Sequence, residues 1–432
     1  MSYSSVIEYL YALQKHGIKL SLERMRILLD RIGNPHRSLR VLHIGGTNGK
    51  GSTAAMVASV LQHSGRRVGL YTSPHLIEFR ERIRVNGCMI TESQVEELIA
   101  RLRAVIQDRL QPTFFEMTTA LAFLYFADSK VDVAVLEVGL GGRFDATNVV
   151  ERPLASAITT IGLDHQEYLG HTEEAIAFEK GGIIKPFVPV VIGRMGQEAE
   201  QVLRRIARDR SAPVWQLGRD FVMDENRPEG LTYRGVTRAY EDLSCGLAGH
   251  HQWDNAACAL ALLEAASQAG IETEEIAVRD GLRTVSWEGR LESIDEYPRV
   301  LLDGAHNPAA AHALAGYFKD FCISHPASRI ILVWGMMRDK DRQGFITPLL
   351  PFVSEIVLTQ ATLARSATVH ELRATLHEWH GPVFEAVLPV DAMTVARRRA
   401  LPHDLICIAG SLMLLGDIKA AVRGCGLSPI RG

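Results

Sequence analysis

The segment GGTNGKGS, Gly45–Ser52, has the residue types of a phosphate-binding loop. Its glycines would let a phosphate approach the backbone, Lys50 supplies a cation, and Ser52 supplies a hydroxyl for Mg²⁺. The spacing differs from the common Walker pattern, because Gly51 separates the lysine from the hydroxyl and Ile44 stands at the first glycine position. On the loop alone, an ordinary glycine-rich turn between a strand and a helix is the alternative to nucleotide binding.

A carboxylate follows another apolar run. Glu137 comes directly after Val131–Leu136, where a charge is costly unless it meets a cation. A Mg²⁺ ion held by nucleotide phosphates would provide that cation, as it does for a Walker-B acid. An ion pair with Arg143 is the alternative. The glycines of EVGLGGRFDATN would let the chain lie close to a ligand.

Two further side chains could complete a metal site. His165 follows the run Ala155–Ile161, although a lone histidine is more often structural and is an uncommon ligand of Mg²⁺. Lys180 follows an apolar stretch, and desolvation there would favour the neutral amine. A neutral lysine can react with CO₂ to give a carbamate, which turns a cation into a metal-binding carboxylate.

Three segments further along the chain could close the site. Asn255 in HHQWDNAACAL stands at a predicted helix start, where helix capping is as plausible as ligand binding. Arg290 in SWEGRLE and Asp303 in LLDGAHNP could reach a nucleotide held by the first domain. Such a cleft would close during turnover.

Apolar, β-branched runs predict the strands that position these groups. The first series is Val41–Ile44, Val68–Tyr71, Val131–Leu136, Ala155–Ile161 and Val188–Ile192. Helical segments separate several of these runs, and strands that alternate with helices indicate a mainly parallel sheet. Ligands gather at the carboxyl ends of the strands in such sheets, so an α/β domain with a P-loop at that edge is expected.

A second series predicts a smaller, Rossmann-like α/β domain at the C-terminus. Its runs are Val300–Leu302, Ile330–Trp334, Glu355–Leu358 and Leu405–Ile408. The acidic, proline-bearing stretch Glu292–Pro298 is interpreted as a linker. The expected domains are therefore residues 1–295 and 296–432.

Composition favours a protein that acts on small molecules. The 432 residues are 47% hydrophobic and 22% charged, and the net charge of −3 leaves no basic excess for nucleic acid or an anionic membrane. The six cysteines include no CxxC pair, so neither a zinc site nor a disulfide framework is expected. The N-terminal residues lack the pattern of a signal peptide. The longest apolar run, from Leu405, is too short to span a bilayer, and we expect a cytoplasmic location.

The motifs together resemble the folylpolyglutamate synthase and dihydrofolate synthase family, a branch of the Mur ligase superfamily. The matching segments follow the family's order over nearly the whole chain: GIKLSLERM, GNP, HIGGTNGKGS, YTSPHL, FFEMTTALAF, EVGLGGRFDATN, IGLDHQEYLGHT, EKGGIIK, WEGRLE, LDGAHNPAA and GMMRDKD. In that family GTNGKGS is the ATP-binding loop, with its hydroxyl displaced by one glycine. The unusual spacing is therefore itself a family feature.

Carried over by position, the resemblance implies a set of site residues. The implied ATP contacts are Asn48, Gly49, Lys50, Gly51, Ser52, Asn255, Arg290 and Asp303. The implied pteroate or folate contacts are Thr113, Phe114, Phe115, Glu116, Phe144, Asp145 and Ala146. One Mg²⁺ is implied near Ser73 and Glu137, and a second is held by His165 and by Lys180 as N6-carboxylysine. Lys50, His165 and Lys180 are the implied catalytic residues, acting through charge and metal binding.

The implied reaction is ATP-dependent addition of L-glutamate to dihydropteroate and to reduced folates. The γ-phosphoryl group of ATP passes to the substrate carboxylate, and the amine of glutamate attacks the acyl phosphate. A monomer is expected. A folylpolyglutamate synthase without the first activity, a P-loop phosphotransferase and a nucleotide-controlled binding protein are alternatives. A peptidoglycan-type Mur ligase is disfavoured because too few residues precede the loop for a UDP-sugar domain.

The chain departs from the family pattern at few positions. Glu288 stands where the W-P-G-R motif has proline, which would loosen the turn that positions Arg290. The region Ala361–Glu371 matches only loosely, so the residues that bind the incoming glutamate stay unassigned.

Overall fold

The computed structural model describes residues 2–17, 19–106, 110–226 and 230–427. The chain forms two compact units. The N-terminal unit contains the residues up to His75 together with Phe79–Gly246 and Trp253–Val285. The C-terminal unit contains Leu76–Glu78, Leu247–Gln252 and the chain from Ser286 onward.

The N-terminal unit alternates strands and helices, as its sequence predicts. Its strands are β1 (Val41–Gly45), β2 (Val68–Tyr71), β3 (Ile83–Val85), β4 (Cys88–Met89), β5 (Val133–Glu137), β6 (Ala155–Ile158), β7 (Val190–Ile192), β8 (Val214–Gln216), β9 (Val222–Asn226), β10 (Gly230–Arg234) and β11 (Ala239–Leu243). Its helices are α1 (Tyr3–Ala12), α2 (Glu23–Arg31), α3 (Lys50–His63), α4 (Glu92–Val105), α5 (Phe114–Asp128), α6 (Gln166–Leu169), α7 (Glu173–Lys180), α8 (Gln197–Asp209), α9 (His251–Ser267) and α10 (Glu275–Thr284).

The main sheet of this unit has the strand order β4-β3-β2-β5-β1-β6-β7-β8. The strands from β2 to β8 along this order run parallel, and β3 and β4 are antiparallel additions. Strands β1, β2, β5, β6 and β7 are buried along their whole length, which explains why each is an apolar run. Since β1, β5 and β6 are neighbours, the segments that follow them meet at one edge of the sheet.

A small antiparallel sheet of order β11-β10-β9 completes the N-terminal unit. A buried carboxylate connects this sheet to α9. Glu264 on α9 accepts hydrogen bonds from the Tyr233 hydroxyl (2.7 Å) and from the backbone and hydroxyl of Thr237 (both 3.0 Å). These bonds satisfy a carboxylate that would otherwise be costly to bury.

The C-terminal unit is a second, smaller α/β layer structure. Its strands are β12 (Glu292–Glu296), β13 (Arg299–Asp303), β14 (Ile330–Trp334), β15 (Glu355–Leu358), β16 (Val383–Glu385) and β17 (Leu405–Ala409). Its helices are α11 (Pro308–Ser324), α12 (Arg342–Ile346), α13 (Val369–Thr375), α14 (Pro389–Arg399) and α15 (Leu412–Arg423). The strand order is β12-β13-β17-β14-β15-β16, parallel except for β12. The α/β class expected from the sequence is therefore confirmed.

The division between the units differs from the expected boundary at residues 295 and 296. It lies between Val285 and Ser286, because the stretch interpreted as a linker is strand β12. Glu292 of β12 pairs with Leu302 of β13 in antiparallel register. An edge strand tolerates charged residues, since only one side of it pairs with the sheet, and this explains its acidic composition. Within the described ranges, no helix combines the length and apolar character needed to cross a bilayer.

Candidate active site

The glycine-rich loop connects β1 to α3, and two of its glycines are required by close contacts. Gly46 has φ +139°, and a Cβ there would lie 2.0 Å from the hydroxyl oxygen of Thr159. Gly49 has φ +81°, and a Cβ there would lie 2.2 Å from the side-chain oxygen of Asn255. Helix α9 begins at His251, so Asn255 is not its N-cap and instead lies beside the loop.

The segment after β6 holds the loop in place. The Thr47 backbone N–H donates to the Thr160 carbonyl (2.7 Å), and the Asn48 N–H donates to the Thr160 hydroxyl (3.0 Å). The Thr159 hydroxyl donates to the Asn48 carbonyl at 2.6 Å. Sequence reasoning missed these two threonines. Their position directly after a strand next to β1 was the available signal.

The start of α3 supplies polar groups suited to a phosphate and a divalent cation. Ser52 is 1% exposed, and its Oγ has no hydrogen-bond partner in the described part of the chain. The ammonium of Lys50 donates to the Thr47 carbonyl at 3.0 Å. A buried hydroxyl without a partner is costly, and a helix N-terminus attracts anions. The loop therefore fits a nucleotide phosphate with its Mg²⁺.

Glu137 lies at the end of β5, as the sequence predicts, and is buried. Its Oε2 accepts a hydrogen bond from the backbone N–H of Ser73 at 3.0 Å. This bond joins the two residues that were predicted to lie near the first Mg²⁺. The alternative, an ion pair with Arg143, is not among the pairs of the described residues. Arg143 instead pairs with Glu179, with 2.7 Å between Nη2 and Oε1.

Lys180 ends α7 and connects to the loop. Its side chain is buried, and its ammonium donates to the Gly46 carbonyl at 2.8 Å. Burial, together with the charge of Lys50, lowers the pKa of Lys180 to about 7, although Asp164 and Asp145 act in the opposite direction. The surroundings of Lys180 therefore favour the neutral amine.

His165 precedes α6 and is exposed. Its backbone has φ +50°, and its N–H donates to Oδ1 of the buried Asp164 at 2.8 Å. Among the described residues, no three or more His, Cys, Asp or Glu side chains are grouped to hold a metal ion. A divalent cation here would take its remaining ligands from hydroxyls, nucleotide phosphates and water, which is the pattern typical of Mg²⁺.

The expected pteroate-binding segment begins with a helix cap. Thr113 accepts a hydrogen bond from the Glu116 N–H (3.2 Å), and Glu116 accepts one from the Thr113 N–H (2.7 Å), which is a capping box for α5. Glu116 also pairs with Arg24 at 3.1 Å. Both predicted residues therefore have structural roles, whatever they contribute to a ligand.

The two phenylalanines between them lie in different surroundings. Phe114 is buried, stacks on Tyr11 with 5.4 Å between ring centroids, and lies under the guanidinium of Arg82 at 5.3 Å. Phe115 is half-buried, and a Cβ at Gly139 would lie 2.4 Å from its ring. The ring of Phe115 therefore lies against the glycine-rich segment that follows β5.

Asp145 shapes the loop after β5. Its carboxylate accepts the backbone N–H groups of Gly139 (3.0 Å), Leu140 (2.9 Å) and Thr147 (3.0 Å). Burial raises the pKa of Asp145, and these hydrogen bonds oppose that shift. Ala146 is buried beside it in sequence, and the ring of Phe144 lies 4.4 Å below the Arg143 guanidinium.

In the C-terminal unit, the structure brings the predicted residues Arg290 and Asp303 together. The Asp303 carboxylate accepts the backbone N–H of Leu291 (3.0 Å) and of Ala305 (2.9 Å). Asp303 ends β13, so it fixes the turn that carries Arg290 against the carboxyl edge of this sheet.

The Gly289 carbonyl joins the same two segments. It accepts hydrogen bonds from the Gly304 N–H at 2.8 Å and from Nη1 of Arg290 at 3.0 Å. A Cβ at Gly304 would lie 2.1 Å from that guanidinium nitrogen, so a larger residue there would displace the Arg290 side chain. Arg290 is thus held by backbone contacts of its own unit.

The architecture is that of a P-loop protein with a second, Rossmann-like α/β unit, and two family models match it. The Mur ligase middle domain matches residues 44–263, and the Mur ligase, glutamate ligase domain matches residues 289–412. A dihydrofolate synthase/folylpolyglutamate synthase from Bacillus subtilis (strain 168) is 37% identical over 433 residues, covering 98% of this chain and 99% of the relative.

Solved structures agree with this match. Escherichia coli FolC in complex with DHPP and ADP superposes with a TM-score of 0.91 at 31% identity, covering 98% of each chain. The bifunctional folylpolyglutamate synthase/dihydrofolate synthase from Yersinia pestis, complexed with AMPPNP and Mn ion, gives 0.89 at 29% identity, again over 98% of each chain. The chain belongs to the dihydrofolate synthase/folylpolyglutamate synthase family of the Mur ligase superfamily.

Proposed function

We propose that this chain is an ATP-dependent ligase that joins L-glutamate to dihydropteroate, giving dihydrofolate, and adds further glutamates to reduced folates. Family membership supports the reaction class. In the structure, the observation that carries it is the buried Ser52 hydroxyl, which has no hydrogen-bond partner among the described residues and lies at the N-terminus of α3, after a loop anchored by Thr159 and Thr160. This loop has the donors that a nucleotide phosphate and its metal ion need.

The proposed chemistry has two steps. The substrate carboxylate attacks the γ-phosphorus of ATP, which forms an acyl phosphate and releases ADP. The amine of glutamate then attacks the acyl carbon, and the resulting tetrahedral intermediate loses phosphate to give the amide. The first step is needed because a free carboxylate is a poor electrophile.

The chain's own residues have separate roles in this proposal. The loop N–H groups and the Lys50 ammonium bind the phosphates and offset the charge of the group in transfer. Ser52, Glu137 and the Ser73 segment would hold the first Mg²⁺, which would supply positive charge to the phosphoryl oxygens. Arg290, Asp303 and Asn255 complete the nucleotide contacts, in line with the family's pattern.

Lys180 is proposed to act as a carbamate. Its neutral amine adds to the carbon of CO₂ and loses a proton, which gives a carboxylate that would hold a second Mg²⁺ together with His165. The buried amine with a pKa of about 7 supports this step, because only the neutral form reacts. Labelling with ¹³C-bicarbonate tests it: a carbamate carbon signal is expected in the wild type and not in Lys180→Met.

The pterin ring is proposed to lie against Phe115. Its half-buried ring beside Gly139 offers an aromatic surface, and Phe144 offers another. Phe114 is assigned to the hydrophobic interior, because its side chain is buried and Tyr11 stacks on one face of its ring.

One assay tests the function. Purified protein is given ATP, Mg²⁺ and L-glutamate, with either dihydropteroate or a tetrahydrofolate as acceptor, and ADP and the amide product are both measured. We expect glutamate-dependent release of ADP and a product heavier by one glutamate with each acceptor. If the product forms with the tetrahydrofolate and not with dihydropteroate, the function is that of a folylpolyglutamate synthase only. Release of ADP that does not depend on glutamate would favour a phosphotransferase.

A further inference from the structure

A buried lysine supports the turn that precedes Arg290. Lys419 on α15 is 3% exposed, and its ammonium contacts two carboxylates. The distance from its Nζ to Oε2 of Glu288 is 2.9 Å, and it also pairs with Oε1 of Glu292. Burying a charged group is costly unless it is paired in this way, so the two carboxylates are needed to keep Lys419 in place.

The same carboxylates hold the turn. Oε2 of Glu292 accepts the backbone N–H of Gly289 at 2.7 Å. Oε1 of Glu288 accepts a hydrogen bond from Nη2 of Arg423 at 2.7 Å. Gly289 lies between the two glutamates with φ +70°, and its carbonyl accepts from Nη1 of Arg290. A chain of direct contacts therefore runs from Lys419 through Glu292 and Gly289 to Arg290.

These contacts change the interpretation of Glu288. The absence of proline at this position was expected to loosen the turn. Instead, each oxygen of the Glu288 carboxylate pairs with a cation of α15. Two carboxylates and two cations balance in this cluster. Removing Lys419 would leave Glu288 and Glu292 to repel each other across Gly289, which would displace the turn.

We propose that Lys419 is a positioning residue for Arg290, which it holds in the orientation needed to bind ATP. The inference rests on the proposed function, in which Arg290 contacts the nucleotide. Lys419 itself acts through Glu292 and the turn. Its loss should therefore weaken the use of ATP and leave the use of the pteroate acceptor and of glutamate unchanged.

The matched control is a second ion cluster in the same unit. Glu355 at the start of β15 pairs with Arg399 (3.2 Å from Nη2) and with Arg329 (3.1 Å). Glu292 pairs with Leu302 near the end of β13, whereas Glu355 begins β15, so in this mostly parallel sheet the two clusters lie at opposite ends of the strands. Arg399→Met should destabilise the unit without displacing the Arg290 turn.

The experiment compares steady-state constants and the affinity for ADP of the full-length variants. For Lys419→Met we expect KM for ATP and Kd for ADP to rise about tenfold or more, with KM for pteroate and glutamate within about twofold. Arg399→Met should lower Tm and leave KM for ATP within about twofold. The double variant Glu288→Pro with Lys419→Met removes one carboxylate with the lysine and should restore most of the affinity for ATP.

Several results would overturn the inference. These are an unchanged KM for ATP in Lys419→Met, an equal rise in Arg399→Met, and an unchanged KM in Arg290→Gln. If Lys419→Met does not fold, Lys419→Arg and the double variant provide the same comparison, with a rise of about threefold expected in Lys419→Arg. A wild type without glutamate-dependent release of ADP would instead contradict the proposed function, so the two failures are distinguishable.

Discussion

Lys180 and Lys419 are two buried lysines in opposite surroundings. Their side chains are 5% and 3% exposed. Lys180 donates to one carbonyl, that of Gly46, and forms no ion pair among the described residues. Lys419 contacts two carboxylates. Burial alone therefore does not determine what a lysine does, because the counter-charge decides whether its ammonium is tolerated.

For Lys180, the cost of burying the charge exceeds the stabilisation that the helix dipole provides. Lys180 lies at the C-terminus of α7, where the helix dipole favours a cation by roughly 0.3–1 kcal/mol. Burial and the charge of Lys50 nevertheless lower its pKa from 10.5 to about 7, which corresponds to several kcal/mol against the charged form. The environment of Lys180 thus favours a reactive amine, and that of Lys419 favours a fixed cation.

The largest effect is expected from Lys180→Met, which removes the reactive amine. We expect kcat to fall roughly 10²- to 10³-fold, as for loss of one group that stabilises transition-state charge. Formate or acetate should restore part of the rate, because either supplies a carboxylate where the carbamate is missing. The matched control is Lys185→Met. Lys185 is also partly buried, donates to the Asn148 carbonyl at 3.1 Å, and has no proposed role.

Steady-state assays with saturating ATP and glutamate measure both variants. Lys185→Met should keep kcat within about twofold of the wild type. Full activity of Lys180→Met without any added carboxylate would remove the functional difference between the two lysines.

Gly46→Ala tests whether nucleotide binding depends on the shape of the loop whose Gly46 carbonyl accepts the Lys180 hydrogen bond. A Cβ at this position would lie 2.0 Å from the Thr159 hydroxyl and 3.0 Å from its backbone nitrogen, so the loop and the carbonyl that Lys180 uses must both shift. We expect affinity for MgATP to fall about tenfold or more. Isothermal titration with a non-hydrolysable ATP analogue measures it.

Gly65→Ala is the control for backbone strain. Gly65 also has positive φ (+77°), but a Cβ there would have no atom of the described residues within 4 Å. It should cost about 1 kcal/mol in stability and leave nucleotide affinity unchanged. Equal losses of affinity in the two variants would mean that strain, and not the contact with Thr159, explains the result.

The titration of Lys180 should make the folded state more stable as the pH rises. In CO₂-free buffer the lysine is charged in both the folded and unfolded states below about pH 7, so the folded state bears the full cost of the buried charge. Between about pH 7 and 10.5 the folded state is neutral while the unfolded state keeps its proton, so folding releases a proton and stability rises with pH. Lys180→Met removes this cost.

The gain in Tm of Lys180→Met over the wild type should therefore be largest near pH 6, on the order of several degrees, and should shrink toward pH 10. Thermal unfolding of both proteins from pH 6 to 10 measures it. Lys419→Met should instead lower Tm, because it leaves two carboxylates without their shared cation. A stabilising Lys419→Met would erase the contrast between the two lysines.

Much of the fold could be predicted from the sequence, as could the edge of the main sheet at which the candidate site lies. Buried parallel strands such as β1 and β5 are continuous apolar runs, and their carboxyl ends lie at one edge of the sheet. This placed Lys50 and Glu137 at the same edge. The Thr113 and Glu116 capping box also had a visible signal, a threonine followed three residues later by glutamate.

Other features depend on pairings that one sequence does not reveal. Strand β12 is too acidic to be recognised as a strand and is defined by its partner β13. The contact between Glu292 and Lys419 joins residues 127 positions apart. Neither residue type indicates such a partner, so the support of the Arg290 turn is visible only in three dimensions.

The smallest effect is expected from Arg423→Ala, which removes the other cation of the Glu288 cluster. The Arg423 side chain is 48% exposed, so its pair with Glu288 is solvated and screened by salt. We expect a loss of about 0.5 kcal/mol or less in the free energy of unfolding, reduced further in high salt, and KM for ATP within about twofold. Urea unfolding at low and high salt measures the free energy of unfolding, and ATP kinetics measure KM.

If Arg423→Ala raised KM for ATP as much as Lys419→Met, the exposed pair would position the turn as strongly as the buried one. Burial would then not be what distinguishes Lys419, and the Glu288 carboxylate would become the group to which the positioning is assigned.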